Sequence, residues 1–325
     1  MRMLAAVYER AGASDVIALR ELDAPEPGPG EVRVRVHVSG VNPTDWKTRA
    51  RTAPDGFQIP NQDGAGVIDA VGPGVDPERV GERVWIWFAA WQRPWGTAAQ
   101  YTVVPAAQAV PLPDGASFEL GASVGIPALT AHRCLFADGP IDGRSVLVAG
   151  GAGAVGHAAI ELARAAGAHV IATVSSERKA QLARDAGAHD VVDYTQPDAA
   201  ERIRAAAPDG VARVVEVGLR ANLALDLAVC APDAVVVTYA DDGRGDVPLP
   251  VRALMTANLR LRFVLVYTMG AAAIAAAVDA VAQALADGTL TTLPLRRFPL
   301  ADTGAAHDAV QAGAVGKVLV DVPAP

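Results

Sequence analysis

The chain has 325 residues, with 28 Lys and Arg against 36 Asp and Glu, a formal net charge of −8 at pH 7. A sequence-independent grip on nucleic acid needs clustered cations, whereas charged residues here are 20% of the chain and mixed in sign, which argues against nucleic acid as a partner. Hydrophobic residues at 51% supply ample core material, and the length predicts two domains. The first 120 residues read as irregular and β-rich: residues 31–38 (EVRVRVHV) alternate at period two, and further strands are expected at 66–71 and 84–88, punctuated by Pro and Gly turns. From about Pro127 the texture becomes regular strand and helix alternation, with strands expected at 145–149, 168–174, 190–192, 212–217, 234–239 and 259–266. Such alternation builds a doubly wound parallel sheet, here of six strands. After an Ala-rich helix over 271–286, residues 293–322 read strand, helix, strand, like the first domain's material. The expected organisation is one domain from residues 1–124 plus 289–325, with a second, residues 125–288, inserted in it.

The strand at 145–149 runs straight into Gly150-Gly151-Ala152-Gly153-Ala154-Val155-Gly156 and then into a helical run over 158–166. Strand, GxGxxG, helix and second strand is the context in which this motif binds a dinucleotide: glycines let backbone approach a pyrophosphate, which sits at the positive end of the helix. The sheet is therefore read as Rossmann-type. A site for NAD usually carries an acid at the end of the second strand to bind the ribose hydroxyls. This chain instead has Ser175, Ser176, Glu177, Arg178 and Lys179 there. Ser175, Arg178 and Lys179 offer a hydroxyl and cations to a 2′-phosphate, which favours NADPH.

Neither a metal nor a covalent nucleophile is expected. None of the six histidines pairs with another His, Cys or Glu at metal-ligand spacing. Residues 121–125 match GxSxG but follow a helix-like segment rather than a strand, so no nucleophile elbow is read there. Cys134 and Cys230 form neither a disulfide framework nor a CxxC pair, which suits a reducing cytoplasm. No secretory leader is read at the start, and residues 270–286 contain Asp279 and Gln283, which argues against a membrane span. Trp85, Trp87, Phe88, Trp91 and Trp95 fall within eleven residues. Strand alternation assigns Trp85 and Trp87 to the core, while Trp91 and Trp95 in the following loop are candidates to border a pocket for a flat apolar substrate.

Gly40-Val41-Asn42-Pro43-Thr44-Asp45, residues 60–72, Gly81-Glu82-Arg83-Val84, Gly125-Ile126-Pro127-Ala128-Leu129-Thr130-Ala131, the glycine turn, Asp193-Tyr194 and Gly316-Lys317 together carry a resemblance across the whole chain. In these segments it resembles the zinc-free, zeta-crystallin-like quinone oxidoreductases of the medium-chain dehydrogenase/reductase superfamily. Zinc-dependent relatives carry a Cys near Asn42 and a Gly-His-Glu near Gln62-Asp63-Gly64, both absent here. The resemblance implies a GroES-like catalytic domain around the Rossmann domain, a homodimer, and NADPH-dependent reduction of a quinone. An enone or enoyl-thioester reductase would share every cofactor residue and differ in the pocket. A protein that binds NADPH with little turnover is the reading from another class. The resemblance also implies that Thr130 lies near the nicotinamide end, that Ser175, Lys179 and Tyr194 hold the 2′-phosphate, and that Tyr239, Tyr267 and Lys317 line the cofactor site. Asn42 and Asp45 are expected at the catalytic floor. Lys47 stands where many relatives have Tyr and is the candidate to replace it.

Overall fold

β1 (Arg2–Val7) and β2 (Ala18–Asp23) pair antiparallel as a two-stranded ribbon. Valines at 32, 34, 36 and 38 bury one face of β3 (Glu31–Gly40), as period-two alternation requires. α1 (Pro43–Arg51) starts at Asn42, whose backbone N–H donates to the Asp45 side chain while its backbone carbonyl accepts the Asp45 N–H, and Pro43 fixes the first helical φ. There follow β4 (Asp63–Val71), β5 (Arg83–Ile86), β6 (Tyr101–Pro105), β7 (Ala109–Pro111) and α2 (Phe118–Phe136).

The strictly alternating part comprises β8 (Ser145–Ala149), α3 (Ala154–Ala165), β9 (His169–Val174), α4 (Glu177–Asp185), β10 (Asp190–Asp193), α5 (Ala199–Ala206), β11 (Val211–Glu216), α6 (Leu219–Val229), β12 (Cys230–Thr238), α7 (Val251–Thr256), β13 (Arg260–Phe263) and α8 (Ala271–Ala286). β14 (Leu295–Pro299), α9 (Thr303–Gln311) and β15 (Lys317–Asp321) complete the order. This computed structural model describes residues 1–241 and 243–325.

The chain divides into two units. Unit 1 comprises Met1–Ile126, Leu285–Gly288 and Thr292–Pro325; unit 2 comprises Pro127–Ala284 and Thr289–Thr291. Unit 1 is built on a mixed sheet in the order β14-β15-β3-β4-β5-β7, with β6 also on β3. Its core includes Met3, Ile59, Tyr101 and Val320 in one cluster and Val34, Ile68 and Ile86 in another. Unit 2 holds a wholly parallel six-stranded sheet in the order β10-β9-β8-β11-β12-β13, with Leu147, Ile171, Val214 and Val236 in its core. The chain winds outward from β8 through β9 to β10 and then crosses to β11 on the other side of β8. That reversal is where doubly wound sheets bind ligands.

The structure departs from the sequence reading locally: Leu285–Gly288 fall in unit 1 and Thr289–Thr291 in unit 2, the reverse of the expected division at 288. The helix-like segment at 117–122 and the one expected from Pro127 are a single helix, α2, with Pro127 inside it. Gly125 and Ile126, read as the start of the inserted domain, group with unit 1 because the Ile126 N–H donates to both oxygens of Asp63, at 2.9 and 3.0 Å. A Cβ on Gly125 would lie 2.3 Å from Asp63 Oδ1, so this approach needs glycine. α3 begins four residues before the expected run, since Ala-Val-Gly-His at 154–157 carries no amphipathic pattern. The last parallel strand is only Arg260–Phe263, and Val266–Thr268 form a single 3₁₀ turn. Among the described residues no helix is long and apolar enough to cross a membrane.

Candidate active site

In unit 2 the glycine turn joins β8 to α3. Gly150 takes φ +71°, and the N–H groups of Gly150 and Gly151 both donate to Thr173 O, at 3.1 Å, which ties the turn to β9. Two of the motif's glycines are demanded by packing. A Cβ on Gly151 would lie 2.8 Å from Ala172 Cβ, and one on Gly156 only 2.3 Å from Gly150 O. Gly153 differs: it is exposed, its φ of −82° suits any residue, and a Cβ there would meet only Gly150 O at 3.4 Å, an ordinary contact. Gly153 caps α3 without a side chain, and the first helical bond is His157 N–H to Gly153 O. The N–H groups of Ala154, Val155 and Gly156 therefore precede the helical ladder, at its positive end. No steric contact within the turn requires glycine at 153, although glycine is a favoured residue at a helix cap.

The end of β9 carries the second half of this site. Lys179, in the first turn of α4, folds back so that its Nζ donates 3.0 Å to Ser175 Oγ. Tyr194 follows β10 with its N–H on Val174 O at 3.0 Å and its side chain exposed. Ser175, Lys179 and Tyr194 thus gather at the adjacent ends of β9 and β10, with exposed Arg178 beside them on α4. Glu177, the one acid in this stretch, is turned to an ion pair with Arg184 at 2.7 Å. Thr130 is buried in α2, Tyr239 is half-buried with its N–H on Glu216 O, and Tyr267 is half-buried in the 3₁₀ turn. Burial raises the Tyr239 phenol well above its ordinary pKa.

A feature the sequence reading missed stands beside Tyr239. Glu216, at the end of β11, is fully buried and accepts from Asn222 Nδ2 at 2.9 Å and from the Gly218 N–H. Burial, then the neighbouring Glu216, pushes Asp226 up to about 8. Burial raises Glu216 as well, and in a buried pair of carboxylates ionisation of one disfavours ionisation of the other.

Unit 1 contributes a compact polar cluster in which Asn42, Asp45, Asp63 and Lys317 are each no more than 5% exposed. Lys317 Nζ donates 2.8 Å to Asn42 Oδ1; Asn42 Nδ2 donates 2.7 Å to Asp63 Oδ2; the Asn42 backbone N–H donates 2.7 Å to Asp45 Oδ2. Burial pushes Asp45 up to about 8, with the Asp63 charge adding to it, so Asp45 holds a proton at neutral pH. Asp63 is pushed up to about 6, again by burial, against the pull of Lys317. Burial lowers Lys317 while the two acids support its charge. The cluster thus joins a buried lysine and a buried aspartate through an amide.

The sequence reading had Asn42 and Asp45 here but placed Lys317 among cofactor-lining residues and did not single out Asp63. The signal for Asp63 was an acid in an apolar strand between Gln62 and Gly64-Ala65-Gly66, small residues that leave its carboxylate room. Lys47 is half-buried on α1, its Nζ 5.9 Å from the Trp46 ring centroid. Trp85 is fully buried and Trp87 nearly so. Trp95 packs edge-on against Phe57, centroids 5.2 Å apart, and against the unit 1 core; Trp91 is half-buried in the loop after Phe88. Among the described residues no three His, Cys, Asp or Glu side chains converge as a metal site.

A family profile described as "Alcohol dehydrogenase GroES-like domain" matches residues 28–114, and one described as "Zinc-binding dehydrogenase" matches residues 154–283. Quinone oxidoreductase of Rattus norvegicus is 29% identical over 323 residues, covering 97% of this chain and 96% of its own. The chain belongs to the quinone-oxidoreductase-like branch of the medium-chain dehydrogenase/reductase superfamily. A mycobacterial member solved in complex with NADPH superposes with TM-score 0.85 at 28% identity, over 98% of this chain and 99% of that one. A member described as an NAD-dependent alcohol dehydrogenase superposes with TM-score 0.87 at 27% identity, over 98% and 100%. Membership makes the chain an oxidoreductase of nicotinamide type, while relatives of equal likeness differ in cofactor and substrate.

Proposed function

We propose that this chain is an NADPH-dependent oxidoreductase that delivers hydride to a quinone. The observation that carries the cofactor half is Gly153, exposed at the head of α3 with room for a side chain that it lacks. Gly151 to Gly156 would hold the pyrophosphate by backbone N–H groups, and Ser175, Arg178, Lys179 and Tyr194 the 2′-phosphate. NADH would leave Lys179 without its charge-assisted bond. Thr130, Tyr239 and Tyr267 would flank the remainder of the cofactor. When bound, NADPH supplies the hydride, and the protein supplies binding, orientation and electrostatics.

Unit 1 would serve the acceptor. Reduction puts negative charge on an oxygen of the acceptor, which a prepositioned donor stabilises. Asn42 is that donor, and Asp45, protonated at neutral pH, adds no repelling charge beside it. An ammonium bonded to Asn42 makes this cluster a poor host for a divalent cation, which supports metal-independent chemistry. Lys47 and Trp91 would border the acceptor, whereas the Trp95 ring is accounted for by its packing on Phe57. A homodimer would form through β13, the terminal strand of the parallel sheet, whose Phe263 and following Leu265 are exposed. β12 lies inside the sheet between β11 and β13 and offers no such edge. A cytoplasmic setting suits its two free thiols.

The test is oxidation of NADPH and of NADH by purified protein against para-quinones, ortho-quinones and enones, with products identified. NADPH-selective quinone reduction is expected. Reduction confined to alkenes would reassign the acceptor, and binding of NADPH without consumption across the panel would refute the activity.

A further inference from the structure

Unit 1 buries a lysine and an aspartate that meet only through an amide. Lys317 opens β15 and is 3% exposed; its partner is Asn42 Oδ1, 275 residues away, and the Asp63 carboxylate lies on the far side of the same amide. Taking an ion from water into an interior costs several kcal/mol, and direct contact is what best offsets it. A pair placed for stability alone would be in contact.

The amide between them offers a reason. An Asn side chain has two nearly isosteric orientations, distinguished only by what its neighbours donate and accept. Lys317 can only donate, which requires Oδ1 on its side. Asp63 can only accept while ionised, which requires Nδ2 on the other. The two oxygens of Asp63 are further held by the Ile126 N–H, so the acceptor end is fixed in place. Asn42 keeps one N–H beyond its bond to Asp63, and a cation on the amide oxygen polarises that bond.

We propose that Lys317 is a positioning residue for the reaction: acting through Asn42, it fixes the amide so that its remaining N–H is the donor presented to the acceptor's oxygen. This rests on the hydride-transfer reading above. Lys317 governs both ends of the amide, because its charge also helps to keep Asp63 ionised. Without it a protonated Asp63 could donate as well as accept, and Asn42 could turn over.

The test uses the full chain, with Lys317→Met and the double variant Lys317→Met/Asp63→Asn, read by thermal midpoint and by steady-state oxidation of NADPH with an acceptor that the wild type reduces. Lys317→Met alone leaves Asp63 without its cation and should lower the midpoint. The double variant buries no charge here and should recover it. Loss of a direct donor costs about 10²–10³ in kcat, and a disordered one part of that, so both variants should lose about tenfold or more. KM for NADPH should stay within about twofold, as for an interaction made only in the transition state. Should Lys317→Met fail to fold, the double variant decides alone. Recovery of kcat together with the midpoint would mean that Lys317 only neutralises Asp63 and would overturn the proposal. A raised KM for NADPH at unchanged kcat would place Lys317 in cofactor binding and overturn it equally. If the wild type reduces nothing, the hydride-transfer reading fails, and this inference falls with it.

Discussion

Two glycines three residues apart should respond to the same substitution in opposite ways. In Gly156→Ala the new Cβ falls 2.3 Å from Gly150 O, where 3.4 Å is an ordinary contact, so the turn must open by about 1 Å. Overpacking of this kind costs about 1–3 kcal/mol, and in a domain of 150–250 residues each kcal/mol moves the midpoint by about 2–4 °C. A fall of roughly 4–8 °C is therefore expected for a mid-range cost. Gly153→Ala meets no such obstacle: its Cβ has an ordinary 3.4 Å neighbour and an extended backbone. Exchange of Gly for Ala at a helix cap costs about 1 kcal/mol at most, so the midpoint should fall by no more than a few degrees. The methyl would stand where a pyrophosphate must approach, and the Kd for NADPH should rise by about tenfold or more, equivalent to about 1.4 kcal/mol. Scanning fluorimetry reads the first quantity and titration of NADPH fluorescence the second. Wild-type affinity in Gly153→Ala, or wild-type stability in Gly156→Ala, would refute the division of labour argued for this turn.

Asp45 gives a signed pH prediction. Its folded pKa of about 8 lies above the ordinary 3.8, so the native state keeps a proton that the unfolded chain releases. Its contribution is full below pH 4 and is lost as the pH rises toward 8. Asp45→Asn cannot ionise and should gain on the wild type by several kcal/mol across that window; urea unfolding at pH 5 and pH 8 reads this, and an advantage no larger at pH 8 than at pH 5 would contradict it. Lys179→Ala removes the cation bonded to Ser175 and should weaken NADPH by about tenfold while sparing NADH; equal loss for both cofactors in a binding titration would detach Lys179 from the 2′-phosphate. Phe263→Glu puts a charge on the exposed terminal strand and should convert a dimer to a monomer in sedimentation equilibrium. A monomeric wild type at micromolar concentration would end the dimer proposal.

The parallel sheet was legible because each βαβ unit is local: an apolar run, a glycine break and a helix lie within about thirty residues, so pattern and contact coincide. The ends of its elements were less so. α3 starts in Ala-Val-Gly-His, where nothing alternates, and β13 stops at Phe263 although the apolar pattern runs on to Val266. A new helix was expected from Pro127, yet this proline sits inside α2. Unit 1 was harder, since its strands pair with partners far away in sequence: β15 lies between β14 and β3, and nothing in Gly316-Lys317 announces Asn42. Asn42 and Asp45 were singled out by the resemblance carried by residues 40–45. Lys317 and Asp63 join them only through the tertiary pairing of strands, which no local pattern encodes.

The placement of β15 also bears on how the protein is made. All six strands of the parallel sheet lie between Ser145 and Phe263, so unit 2 has its sheet complete once residue 263 has left the ribosome. The mixed sheet cannot close until Lys317–Asp321 has entered between two strands, one of them translated nearly three hundred residues earlier. Until then the Val38–Gly40 end of β3 lacks its partner, the condition that invites pairing with the wrong chain. High separation between contacting residues slows folding, so unit 1 should be the later and more chaperone-dependent of the two, and its polar cluster the last thing the nascent chain assembles.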